Sequence, residues 1–244
     1  MLNRRVMVIT FVLGGALLAA CKTPAPTPTE LEAVQASTDA YLAYERGDCD
    51  TVRRLTDPDR LDVWSYNEGR NSMLLLQGFC REIDGDVDGA RDIYLQLILE
   101  APDSFATQDA VERTRILKVM EQDSGYARRV DTARERIDPE KIKRTPIDRV
   151  PAEFPPLAKA IGIEGYAIVE FTITRRGDIE DPIIVDSSPR LLFDGAALRA
   201  VRRWQYMPKS GIGEDDQQLI RLLFRQDGSQ DPTEEDPADA SAIQ

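Results

Sequence analysis

Between residues 30 and 137 the apolar positions recur every three or four residues, and no stretch alternates as a strand would. Leu31, Val34, Thr38, Tyr41 and Leu42 form one helical stripe, closed by Gly47-Asp48. Met73, Leu74, Leu76 and Phe79 form a second that ends near Gly85, and Ile93, Tyr94, Leu97 and Ile98 a third that stops at Pro102. Val111, Ile116, Leu117 and Met120 form a fourth. Beyond Pro151 the period changes. Phe154 to Ala160 reads as a short helix opened by proline. Tyr166 to Thr174 alternates, with Ala167, Val169, Phe171 and Ile173 on one face and Tyr166, Ile168, Glu170 and Thr172 on the other. Arg175-Arg176-Gly177-Asp178 supplies a turn, and Ile179 to Asp186 the returning strand of a hairpin. Asp194 is placed to cap a helix over Gly195–Gln205 whose Ala197, Leu198, Val201 and Trp204 face inward, and Gln217 to Phe224 gives a last strand. The pattern therefore predicts an α-helical domain followed by a small α+β domain, in which one helix packs on a three-stranded antiparallel sheet.

The ends of the chain carry different signals. Residues 1–20 run from a basic Asn3-Arg4-Arg5 through an apolar Val6–Leu18 core to small residues, the order of a secretory signal peptide. Leu18-Ala19-Ala20-Cys21 resembles a bacterial lipobox, which implies cleavage before Cys21 and its modification by lipid. By resemblance to Gram-negative lipoproteins, Lys22 after the cysteine implies the periplasmic face of the outer membrane. Residues 21–29 alternate Pro with Thr and Ala, a tether that at about 3 Å per residue cannot cross the periplasm. Residues 138–150 are charged, carry Pro139 and Pro146, and read as the link between the two domains; 226–244 read as a disordered acidic tail.

Within the helical domain, Gly78, Ala90, Tyr94, Leu97 and Pro102 follow one another at gaps of twelve, four, three and five residues. This spacing resembles a tetratricopeptide repeat, in which small residues let two antiparallel helices approach and an aromatic fills the groove. Gly47-Asp48 lies 38 residues before Gly85-Asp86 and suggests a degenerate earlier copy. An ordinary helical bundle remains the alternative. With Cys21 assigned to lipid, Cys49 and Cys80 form an even pair in an oxidising compartment, where a disulfide is expected rather than a metal site; two separate buried thiols are the other reading. If the hairpins stack, the two cysteines can meet and staple them.

The C-terminal block carries the most specific pattern: Phe154-Pro155, Gly162-Ile163-Glu164-Gly165, Phe171, Gly177, Ser187-Ser188-Pro189, Ala197, Arg202-Arg203-Trp204-Gln205-Tyr206-Met207-Pro208 and Leu222-Leu223-Phe224. Residues 151–225 resemble the C-terminal domain of the TonB family. The resemblance implies that a receptor's short extended segment adds to the sheet edge beside the last strand, here Gln218, Leu219, Ile220, Arg221, Leu222, Leu223 and Phe224. Main-chain groups would confer affinity and outward side chains selectivity, with probes at positions 218, 220 and 222 reporting capture. Two departures stand out. The family's Gln-Pro pair before the aromatic-Pro is replaced by Pro151-Ala152, and the family's energy coupling through a membrane-spanning, His-bearing helix is not expected of a chain with no His.

The chain carries 30% charged residues and a net charge of −12, which argues against nucleic acid, since phosphate-backbone binding needs clustered Lys and Arg. It shows no nucleophile elbow, phosphate loop or metal-ligand cluster, so neither enzymatic activity, a cofactor nor a small-molecule substrate is expected. Two functions stay open: a lipid-anchored periplasmic module that recruits an envelope partner by strand addition, or a TonB-family protein taking part in receptor-mediated uptake across the outer membrane.

Overall fold

A computed structural model describes residues 28–57, 67–136, 145–208 and 216–227. The signal peptide, Cys21 and most of the tether, residues 138–144 of the expected link, and the acidic segment beyond Asp227 lie outside the described residues. Among the described residues six helices come first: α1 (Pro28–Glu45), α2 (Cys49–Leu55), α3 (Asn67–Ile83), α4 (Val87–Glu100), α5 (Phe105–Gln122) and α6 (Tyr126–Glu135). They are followed by a one-and-a-half-turn helix α7 (Pro156–Ile161), β1 (Gly165–Ile173), β2 (Ile179–Ser188), α8 (Asp194–Val201) and β3 (Asp216–Phe224). The sheet is antiparallel with order β2-β1-β3, so β1 is central. A helical region thus precedes a helix-on-sheet domain, as the periodicities indicate.

The two helix joints at Gly47-Asp48 and Gly85-Asp86 are built alike. Each glycine takes a positive φ, +75° and +85°, and each aspartate caps the next helix, Asp48 accepting from the Thr51 amide and Asp86 from the Gly89 amide. The caps hold both carboxyls below the usual aspartate range, the backbone N–H bond being the first cause. Between α3 and α4, Gly78 has no room for a side chain, because a Cβ there would lie 2.5 Å from the Tyr94 ring. Tyr94 is buried and edge-on to Phe79, and its hydroxyl donates to Glu82 at 2.9 Å. A disulfide joins Cys49, the first residue of α2, to Cys80 in the last turn of α3, with Cα atoms 5.5 Å apart.

Some stripes differ from the expectation. Leu31 and Val34 are 56% and 63% exposed; α1 instead buries Ser37, Ala40, Tyr41, Ala43 and Tyr44, small residues and tyrosines that seat it closely on the other helices. Met120 is also exposed, and α5 turns Ala106, Asp109, Ala110, Glu112 and Arg113 inward. The charged members of that face have partners on α8.

In the sheet domain, Ala167, Val169, Phe171 and Ile173 are buried under α8, as the alternation predicts. The opposite face is not simply solvated. Ile168 and Glu170 are also buried, because α6 packs over this side and Arg136 donates to Glu170 at 2.6 Å and to Gln217 at 3.1 Å. The β1–β2 turn is closed by Gly177 at φ +90°, where a Cβ would collide with the Tyr206 carbonyl; Tyr206 in turn donates its N–H to the Gly177 carbonyl at 2.9 Å. Asp194 does not cap α8. Phe193 occupies the cap position, and Asp194 begins the helix with its carboxylate 3.0 Å from the Arg113 guanidinium, because burial leaves it no water and a cation on α5 lies opposite. Helix α8 ends at Val201, four residues before the expected Gln205, and tightens into i→i+3 bonds at Arg203 and Trp204. Residues Ile147–Val150 are fastened to this block: Ile147 and Asp148 exchange backbone bonds with Gln205, and the Trp204 indole donates to the Val150 carbonyl at 2.8 Å.

Candidate functional site

The site that the fold offers is a sheet edge. β3 pairs along its length with β1, from Gly165 opposite Phe224 to Ile173 opposite Asp216, and no strand pairs with its other side among the described residues. At nine residues it presents about 30 Å of backbone at the usual rise per residue. Its side chains divide by parity. Gln218, Ile220, Leu222 and Phe224 point into the core with their β1 partners Phe171, Val169, Ala167 and Gly165. Leu219 and Leu223 are half-buried, and Arg221 is exposed on the outer face.

This parity corrects part of the expected contact set. Phe224 stacks on Phe193 with ring centroids 4.3 Å apart, and Phe154 meets both rings edge-on at 5.6 and 5.7 Å. Its side chain holds α7, α8 and β3 together and is out of reach of a partner. The same burial turns the side chains of Gln218, Ile220 and Leu222 away from an added strand, so positions 218, 220 and 222 are unsuited to side-chain probes while their backbone stays part of the edge. An added strand would meet the backbone edge together with Leu219, Arg221 and Leu223. Arg221 lies 4.1 Å over the Tyr166 ring, and the Tyr166 hydroxyl donates to Asp186 at 2.8 Å. That hydrogen bond raises the Tyr166 hydroxyl above its ordinary pKa.

The opposite edge, β2, is poorly suited to the same chemistry. Pro182 has no N–H to offer, Asp181 sits at φ +49°, and the register slips twice against β1. The Arg134 guanidinium also donates to the Val185 carbonyl at 3.0 Å. Among the described residues the regular sheet edge is therefore that of β3.

The second feature, not anticipated from sequence, is the seam between the helical region and the sheet domain. Helix α5 carries Asp109, Glu112 and Arg113 on one face, and the α8 segment answers with Arg199, Arg202 and Asp194 in complementary order. Asp109 accepts from Arg199 at 2.7 Å, Glu112 pairs with Arg202, and Arg113 lies between Asp194 and Glu82. Tyr44 adds a hydrogen bond to the Arg190 carbonyl. Burial pushes the Asp109 and Asp194 carboxyls above the ordinary value of 3.8, only partly opposed by Arg199 and Arg113. Burial alone would lower the Arg113 pKa, but Glu82 and Asp194 override it and drive it up. Buried apolar side chains of the two regions form one continuous core.

A single layer of helix on a three-stranded antiparallel sheet thus leaves β3 as its regular edge among the described residues. Residues 150–225 match the family described as Gram-negative bacterial TonB protein C-terminal. It is 36% identical over 69 residues to Protein TonB of Pseudomonas aeruginosa, covering 28% of this chain and 20% of that protein. Against Protein TonB of Escherichia coli K12 the identity is 31% over 84 residues, covering 34% of each. A solution structure of the Pseudomonas aeruginosa TonB C-terminal domain aligns at 31% identity with a TM-score of 0.31, covering 35% of this chain and 88% of the other. The chain thus spans only a fifth to a third of the length of these curated relatives.

Proposed function

We propose that this protein grips an extended segment of an outer-membrane receptor by adding it as a strand to β3, and so takes part in TonB-dependent uptake. The observation that carries the reading is the combination of TonB-family residues 150–225 with a regular nine-residue edge strand at β3 and a bulged, proline-bearing edge at β2. Strand addition draws affinity from main-chain hydrogen bonds, so the loss of the family's Gln-Pro pair at Pro151-Ala152 changes a side-chain contact and leaves the ladder intact.

A second reading is favoured by the Leu18–Cys21 lipobox pattern and by the absence of His from the sequence: a lipid-anchored periplasmic module that uses the same edge to recruit another envelope protein, with tetratricopeptide-like hairpins as a further peptide surface. No helix among the described residues is long and apolar enough to cross a membrane. Photocrosslinkers placed at Leu219, Arg221 and Leu223 in cells separate the two. Capture of outer-membrane receptors supports uptake. Capture only of other envelope proteins sinks that reading and supports recruitment, and no capture from any of the three positions rejects β3 as the site.

A further inference from the structure

Four arginines are among the residues lining one groove of about 460 Å³ where α5 meets the end of α8: Arg115 from one side, and Arg199, Arg202 and Arg203 from the other, with Pro102 and Val111 beside them. Two carboxylates answer them. Glu112, 3% exposed, accepts from Arg115 at 2.9 Å and pairs with Arg202, while Asp109 accepts from Arg199 at 2.7 Å. Arg203 makes no side-chain hydrogen bond or ion pair among the described residues. Four cations against two anions leave two positive charges in excess, in a chain whose net charge is −12.

The seam does not require this excess. Joining α5 to α8 uses Arg199 and Arg202; Arg115 and Arg203 add charge without adding a contact between the two helices. Each guanidinium presents five N–H donors, and Arg115, Arg199 and Arg202 use one terminal nitrogen apiece in these pairs. The remaining donors take no part in these pairs. We propose that the groove binds a phosphate group, a compact dianion whose charge matches the excess and whose oxygens match forked guanidinium donors. The phosphate is either free or the headgroup of an anionic lipid. An extended polyanion fits less well: the basic surface is a single concave spot rather than a stripe, and the overall negative charge repels a long acidic chain. A phosphate held between Arg115 on α5 and Arg203 beyond α8 would bridge the two regions, so its binding should stabilise their docking. The reading is independent of strand addition at β3.

The test is calorimetric titration of the full chain with inorganic phosphate and pyrophosphate at fixed ionic strength. Saturable one-to-one binding is expected, tighter for pyrophosphate. Arg203→Ala should weaken it about tenfold, the scale of a lost charge-assisted contact at a partly exposed site. Arg203→Lys should fall between, because it keeps the charge and loses the fork, and Arg54→Ala on α2 should bind as wild type. Circular dichroism confirms folding of the Arg203 variants. Sedimentation with phosphatidic acid vesicles, against phosphatidylcholine vesicles, identifies the source: Arg203-dependent recovery with the former assigns a lipid headgroup, and its absence alongside phosphate binding assigns a free phosphate. Binding that does not saturate, that is indifferent to Arg203, or that appears only with a poly-glutamate peptide overturns the proposal.

Discussion

Replacing Arg113 by Met should be the most damaging single change at the seam. Its side chain is 5% exposed, wedged between Glu82 at 9% and Asp194 at 2%, and it donates to both carboxylates while Tyr94 supplies a further donor to Glu82. Methionine fills much of the volume, so packing loss is small. What remains is two buried acids without their cation. Removing one member of a buried ion pair costs about 3–5 kcal/mol, mostly the penalty of the stranded charge, against about 0–1 kcal/mol for an exposed pair. Asp194 already sits above the ordinary aspartate value through burial, and losing Arg113 drives it toward the protonated form. The measurement is urea unfolding followed by hydrogen exchange, read separately for α5 and for β1. In the parent chain both regions share one core and should open together. In Arg113→Met both should lose about 3–5 kcal/mol, and the triple variant Arg113→Met/Glu82→Gln/Asp194→Asn should regain most of it, since neutral amides keep hydrogen bonding and shed the charge. A loss below about 1 kcal/mol, or a triple variant no better than the single one, would refute the claim that this triad is a desolvated weld.

Three further outcomes are expected. Replacing both Cys49 and Cys80 by Ser releases a cross-link spanning 31 residues and should cost about 3–4 kcal/mol by loop-closure entropy, read as a fall in the midpoint of thermal unfolding that added reductant reproduces in the parent chain. Gly177→Ala should destabilise by about 2 kcal/mol or more in chemical denaturation, because φ +90° and the Tyr206 carbonyl both oppose a Cβ, whereas Gly47→Ala, at φ +75° in open space, should cost only about 1 kcal/mol. Asp109 binds its proton more tightly folded than unfolded, so its contribution is fully present at low pH and is lost as pH rises from the ordinary value of 3.8 through the raised one; Asp109→Asn should flatten that part of the stability–pH profile, measured by denaturation between pH 3 and 7, roughly the span of carboxylate titration.

The elements of the sheet domain were legible because their signals are local. Tyr166–Thr174 alternates, Gly177 marks the turn, and Trp204, Tyr206 and Pro208 follow the helix at fixed offsets. The parity of β3 was not legible, since Gln217 and Gln218 are both polar and the inward-facing one could not be chosen from the pattern; its burial follows from pairing opposite Phe171. The seam was hidden for a different reason. Arg113 finds Asp194 across 81 positions, and Asp109 and Glu112 find Arg199 and Arg202 across 90, so each charge reads in isolation as a solvated helix face. Helix α6 is not marked by an apolar stripe because its first turns are rich in arginine, while its place beside the sheet depends on Arg134 and the capping Arg136 reaching β2 and β1, both distant in sequence.

The seam also bears on what the β3 edge can do. A segment added to β3 and placed under load pulls on the β1–β3 ladder, and β1 is backed on its inner face by α8. On its own, residues 150–225 would form a small domain, of a size whose core supplies only a few kcal/mol of stability. Here α8 is buried on both sides: the sheet lies beneath it, and α5 holds Asp194, Arg199 and Arg202 from above. A load at the edge therefore passes through β1 and α8 into the disulfide-bonded helical region, and opening the sheet exposes the charged seam as well as the apolar core. If a partner strand adds to β3 as proposed, that cost would fall on breaking the body and not on dissociating the added strand, and the weakest link under load would be the partner's ladder on β3.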